Sequence, residues 1–155
     1  MDVRDVVPSA RHVGIDEIPF VTNPTVGARM RLLQVDPDQG LYVLHGIMPP
    51  GLRVGTHRHR GTVLAFTLSG AWGYLENDFV NRAGSYLYEP PESVHTLYVP
   101  DDAEPTEMVS AIFGDVEYLD ENGDVTYVSN WRANLDLYYQ ACEAEGLPRP
   151  SAIIR

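Results

Sequence analysis

From residue 30 to residue 128 the chain reads as short runs rich in β-branched and aromatic residues, each closed by a turn signal. The runs cover 30–35, 41–48, 52–58, 62–68, 71–76, 85–88, 94–99, 107–116 and 125–128. Between them stand Pro37 and Gly40, Pro49-Pro50-Gly51, Ser69-Gly70, Asn81 to Gly84, Pro90-Pro91 and Asn122-Gly123. Gly and Pro punctuate structure because they set backbone angles that a strand cannot use. Asn-Gly is a strong hairpin signal. Short strands at this spacing predict an all-β sandwich or barrel.

The two ends depart from that rhythm. Residues 1–28 carry Pro8, Pro19 and Pro24 and read as an N-terminal arm with one short strand near 18–22. At the other end, Trp131, Leu135, Tyr138, Tyr139 and Cys142 fall at helical spacing. Asn130 is the expected N-cap, and Gly146 followed by Pro148 is the stop. The expected organisation is a single domain: an arm over 1–28, a β-barrel over 29–129, and one helix with a tail over 130–155. Tyr138 and Tyr139 read as packing residues, and Cys142 as a small buried apolar group rather than a nucleophile.

Composition excludes several classes. At 155 residues and 44% apolar the chain suits one globular domain. It holds no apolar run long enough for a membrane span. Its first residues, Met1-Asp2-Val3-Arg4-Asp5, lack the pattern of a secretory signal, so a cytoplasmic location is expected. The single Cys142 rules out an intramolecular disulfide. A net charge of -11 argues against nucleic acid or an anionic membrane as partner.

The chemistry lies in three histidines. His57 and His59 are two residues apart in an extended segment, so both point to one face. His95 follows on a later strand. If the two strands face each other across a barrel, three neutral imidazoles converge and leave open positions on one metal ion, the mark of a catalytic site. The remaining histidines read differently: His12 as solvated in the arm, His45 as structural on its strand.

The segments around these residues resemble the two motifs of the cupin superfamily. In the first motif, Gly51, His57, His59 and Gly70 match; in the second, Gly84, Pro90 and His95 match. The carboxylate position of the first motif falls on Val63 or Leu64, and the later Gly and Asn positions of the second fall on Glu92 and Val99. The chain is thereby similar to the carboxylate-free, three-histidine cupin dioxygenases, the 2,4'-dihydroxyacetophenone dioxygenase group and, less closely, the acetylacetone dioxygenase group. The resemblance rests on His57-Arg58-His59-Arg60-Gly61, Ala65 to Gly70, Tyr74-Leu75-Glu76, Ala83 to Tyr86, Tyr88-Glu89-Pro90 and His95-Thr96-Leu97.

What the resemblance implies is a cupin jelly-roll barrel with one C-terminal helix; barrels of this size often pair through an edge strand, so a homodimer is expected, with 1–28 a candidate exchanged arm. It implies an oxidoreductase: a non-haem iron dioxygenase that uses dioxygen to cleave a carbon–carbon bond of a small hydroxyketone or diketone. Three neutral ligands leave the full divalent charge on the ion, which favours an anionic oxygen chelate. Iron(II) is the expected metal, although imidazole also suits zinc, nickel, copper and, in related sites, manganese. Two other readings stay open: a metal- or ligand-binding cupin without catalysis, and a non-oxidative metal-dependent lyase, isomerase or hydrolase.

Around the three histidines, Glu89 is the candidate catalytic residue. By resemblance it would orient a ligand imidazole or accept the substrate proton. Glu76 is a weaker candidate near the metal, and Glu92 reads as a turn residue. Of Phe66, Trp72, Tyr74, Tyr86, Tyr88 and Tyr98, some should line a pocket. Arg58 and Arg60 should point outward, while parity with His57 allows Arg53 to point inward.

Overall fold

The computed structural model describes residues 1–155 apart from Val3, Arg4 and Val6. In chain order the strands are β1 (Val21–Thr22), β2 (Arg29–Asp36), β3 (Leu41–Met48), β4 (Arg53–His59), β5 (Val63–Ser69), β6 (Ala71–Tyr74), β7 (Val80–Arg82), β8 (Tyr86–Glu89), β9 (Val94–Tyr98), β10 (Thr106–Phe113), β11 (Val116–Leu119) and β12 (Val125–Ser129). The helix α1 spans Trp131–Ala144.

The strands form two antiparallel six-stranded sheets, ordered β1-β2-β3-β10-β5-β8 and β12-β11-β4-β9-β6-β7. The architecture is a cupin-like jelly roll with one C-terminal helix. It is a sandwich rather than a closed barrel, because each sheet keeps its own hydrogen-bonded ladder. Between the sheets lies a cluster built on Met48, Leu52, Ala65, Trp72, Tyr74 and Leu97. A second cluster joins Leu32, Val35 and Tyr42 to Leu135, Tyr138 and Cys142 of α1, with Ile18 and Val21 fully buried beside them.

The helix forms where its caps dictate. The Asn130 side chain accepts the Ala133 N–H at 3.0 Å, and Gly146 ends it with φ 71°. Leu147 N–H then closes back on the Cys142 carbonyl at 2.8 Å. The Tyr138 hydroxyl donates to the Pro19 carbonyl at 2.6 Å, tying the segment before β1 to the helix. Cys142 is fully buried, and burial pushes its thiol up, away from thiolate chemistry.

Two departures from the sequence reading have physical causes. The run expected over 107–116 is two strands, broken at Gly114, which takes φ 78°. There the chain switches sheets: β10 belongs to one and β11 to the other. The turn is tight enough that a Cβ on Gly61 would sit 2.1 Å from the Phe113 carbonyl oxygen. The short strand β7 was not expected; Val80-Asn81-Arg82 offers no apolar alternation to read.

Candidate metal centre

The centre is assembled on β4 and its two neighbours. His57 and His59 are both buried on the inner face of β4. The sequence reading has His95 meet them from a strand facing β4 across a barrel, and the structure corrects this. His95 lies on the adjacent strand β9 of the same sheet, directly opposite His57. Cross-strand partners have Cβ atoms about 4.5–5.5 Å apart, so the ladder itself brings the third imidazole in. One ligand atom from each of His57, His59 and His95 lies within 4.8 Å of the others.

A bulge sets which side chains face inward. The register between β4 and β9 shifts between Val54 and His57, which inserts an extra residue and reverses the alternation. Leu52 and Val54 point in before the bulge, and His57 and His59 after it. Arg53 therefore does not share His57's face; it is exposed. The bulge also orients the first imidazole: His57 Nδ1 donates to the Gly55 carbonyl at 2.8 Å, which leaves Nε2 with its lone pair.

Glu89 stands beside the three histidines. Its Oε2 lies 3.3 Å from His59 Nε2 and 3.2 Å from His95 Nε2, and its Oε1 accepts the Tyr74 hydroxyl. It is buried and is the direct cross-strand partner of Val63. A carboxylate absent from position 63 of β5 thus returns at the same level of the sheet, from β8. Tyr74 was known only as one aromatic among several. Its ring stacks on His95 at 3.9 Å and 9°, so one side chain holds an imidazole and a carboxylate. The Tyr74-Leu75-Glu76 segment carries part of the resemblance but not this role, because β6 reaches the site through its pairing with β9.

The other candidates fall away from the centre. Glu76 is exposed, and its Oε2 accepts the Thr96 N–H at 2.9 Å. Glu92 shapes the turn, with φ 72° at a position where glycine is favoured. Arg58 and Arg60 point outward, as expected, and pair with Glu117 and Glu92. His12 is exposed. His45 is buried, with Nδ1 accepting from Arg31 Nε at 3.1 Å and Nε2 donating to Glu107 at 2.6 Å. Trp72 and Tyr74 line the pocket, whereas Phe66, Tyr86 and Tyr88 are exposed.

His57, His59 and Glu89 open on a cavity of about 200 Å³, walled by Val54, Ala65, Leu97 and Met108 among others. Burial lowers the His57 imidazole below its ordinary value. Burial, then the neighbouring His57 and His95, lower His59 to about 3. Both are held neutral, the form that binds metal. His59 Nδ1 is buried with no hydrogen-bond partner among the described residues. Three buried imidazoles with converging nitrogens fit a divalent metal.

Residues 8–114 match the model of the ChrR cupin-like domain. No curated protein matches the chain. Among solved structures it is similar to an RmlC-like cupin protein of Ralstonia eutropha, at 25% identity and a TM-score of 0.87 over 99% of each chain. A protein from the same organism, described as having unknown function and a cupin-like fold, is 30% identical. There the TM-score is 0.80, with 87% of this chain and 86% of that one covered. An acetylacetone dioxygenase of Acinetobacter johnsonii shares the fold at 17% identity. Its TM-score is 0.76, over 87% of this chain and 93% of that one. Among the described residues no helix is long and apolar enough to cross a membrane.

Proposed function

This chain belongs to the ChrR cupin-like domain family, and on that premise we propose that it is a non-haem iron dioxygenase cleaving a carbon–carbon bond of a small hydroxyketone or diketone. The observation that carries the reading is the donor set. Three buried imidazoles stand together with Val63 at the motif's carboxylate position. His57 and His59 open on a mainly apolar cavity. In this reading His57, His59 and His95 are the metal ligands.

Iron(II), when bound there, supplies Lewis acidity and a divalent charge that favours an anionic oxygen chelate; zinc or nickel would suit the same imidazoles as well, and manganese less so. Glu89 accepts the proton that the substrate loses on becoming that chelate, at Oε2, the oxygen that faces His59 and His95. The Tyr74 hydroxyl holds Oε1 and fixes the carboxylate's orientation. The Tyr74 ring keeps the His95 plane in place. Apolar walls exclude water from the reacting atoms. An apolar cavity of about 150 Å³ admits benzene, so 200 Å³ suits one ring with a short ketone side chain. The partners of this reading are a small ketone and dioxygen, with a homodimer as the working form and the cytoplasm as location.

The test is oxygen uptake by the iron-loaded protein with a hydroxyacetophenone and with a β-diketone. Uptake should accompany two carbonyl or carboxyl fragments, and His57→Ala or His95→Ala should abolish both uptake and metal binding. Product formed at an undiminished rate without oxygen would replace the dioxygenase with a non-oxidative lyase. No turnover of any ketone, with or without oxygen, would leave a binding protein.

A further inference from the structure

The sheet β1-β2-β3-β10-β5-β8 carries apolar residues on both faces; on the outer face the segment 15–20 covers β2 and β3, where Phe20 packs on His45, and leaves the surface over β5 and β8 open. Strand β5 reads Val-Leu-Ala-Phe-Thr-Leu-Ser, apolar on both parities, the pattern of a strand covered on both sides. Val63 and Ala65 turn to the cavity. Phe66 and Leu68 turn outward at 54% and 50% exposure, beside Tyr86 and Tyr88 of the edge strand β8 at 56% and 54%. Phe66 and Tyr86 are register partners with rings 5.0 Å apart, so the surface is continuous. It extends across β10 through half-buried Val109, the partner of Phe66.

We propose that a second copy of this chain seats on this outer face about a two-fold axis, and that the contact braces β8, the strand that holds Glu89. The inference rests on the homodimer of the proposed function and names its surface and its bearing on the site. Charge selects the occupant. The chain carries 22 acidic residues, yet Glu107 is the one acidic side chain on the outward positions of β3, β10, β5 and β8, and it is hydrogen-bonded to His45. Two copies of net charge -11 approach with least repulsion here. The face offers no free charge to attract a basic or an acidic partner, and a self-complementary apolar patch is what a two-fold contact needs.

Area agrees. An aromatic side chain presents about 200 Å² in full, so four half-exposed side chains supply roughly 400 Å² per copy. The half-buried flank and a polar rim bring this toward the ~800 Å² per partner of a stable interface. The consequence for the site follows from topology. Strand β8 has four residues, is laddered only to β5, and leaves its other edge open. Tyr86 and Tyr88 alternate with Leu87 and Glu89 along it, so covering the two tyrosines steadies the strand from which Glu89 enters the cavity.

The experiment is light scattering on the full chain, with hydrogen exchange of the β8 amides. Wild type should run at twice the mass of one chain. Phe66→Glu combined with Tyr86→Glu should halve that mass, keep the circular-dichroism spectrum, and speed exchange in β8. Leu68→Lys replaces the pair if the pair fails to fold. Val125→Glu with Tyr127→Glu, on exposed positions of β12, should stay dimeric. A wild-type mass of one chain overturns both this inference and the homodimer. A dimer that survives Phe66→Glu with Tyr86→Glu, or is lost in the β12 variant instead, overturns this face and leaves the homodimer standing. Equal β8 exchange in monomer and dimer overturns the bracing.

Discussion

Tyr74 holds two parts of the centre at once, and Tyr74→Phe separates them. The substitution keeps the ring that stacks on His95 at 3.9 Å and removes only the hydroxyl given to Glu89. Both residues are nearly sealed from solvent, at 4% and 3% exposure, so water has no easy access to replace the lost donor. A hydrogen bond to a charged group contributes about 1.5–3 kcal/mol, and a buried acceptor stripped of its donor forfeits its desolvation as well. The expected loss is therefore about 2 kcal/mol, or a fall in Tm of roughly 4–8 °C for a domain of this size. Tyr74→Ala should cost more, about 3–5 kcal/mol, because the ring goes too. Urea unfolding of the metal-free variants measures both. A cycle with Glu89→Gln isolates the pair and should show coupling of about 1 kcal/mol or more. A Tyr74→Phe variant within about 0.5 kcal/mol of wild type, or one strictly additive with Glu89→Gln, would refute the argument that this hydroxyl anchors the carboxylate.

Glu89→Gln should retain metal while slowing turnover by roughly 10–100-fold, the range for partners just outside the ligands; metal analysis beside steady-state rates checks it, and loss of the metal would make Glu89 a ligand. Gly61→Ala should destabilise by about 3 kcal/mol, read as a fall in Tm, because its methyl would meet the Phe113 backbone at 2.1 Å. The metal-free protein should lose stability in acid through His59. The unfolded imidazole takes up a proton near 6.5 and the buried one only near 3, so between those values the unfolded state binds more protons. Stability then falls by up to about 1.4 kcal/mol per pH unit as the pH drops from 6.5 toward 3. Urea midpoints across that window test it, and His59→Gln should flatten the slope.

Strand existence was legible because both determinants are local. β-Branched runs and Gly-Pro punctuation locate β2, β3, β4, β5 and β9 to within a residue or so. The helix was legible for the same reason, its Asn130 cap and Gly146 stop being written in the chain. What escaped depends on long-range geometry. The break at Gly114 exists because the chain changes sheets there, which no window of residues reveals. Counting twos from His57 allows Arg53 to point inward, and the count fails because a bulge at Gly55–Thr56 adds a residue that only the pairing with β9 exposes. The meeting of His95 with His57 was legible from motif spacing, but its mechanism, a cross-strand pair in one sheet, was not.

The displaced carboxylate shows how far such reading reaches. Position 63 could be seen to lack an acid, and Glu89 could be seen to lie near the second motif, yet nothing in the chain states that the two positions are opposite each other in a ladder. The displacement changes what the group can do. On β8 the carboxylate arrives with one oxygen already committed to Tyr74, leaving a single oxygen toward His59 and His95. A carboxylate so tethered presents one basic atom in a fixed direction, which suits orienting an imidazole or receiving one proton better than chelating an ion through both oxygens. It also enters from the edge of its sheet, where a single neighbouring strand secures it. The chemistry of the centre is thereby tied to the order of β8, the least supported strand that reaches the three histidines.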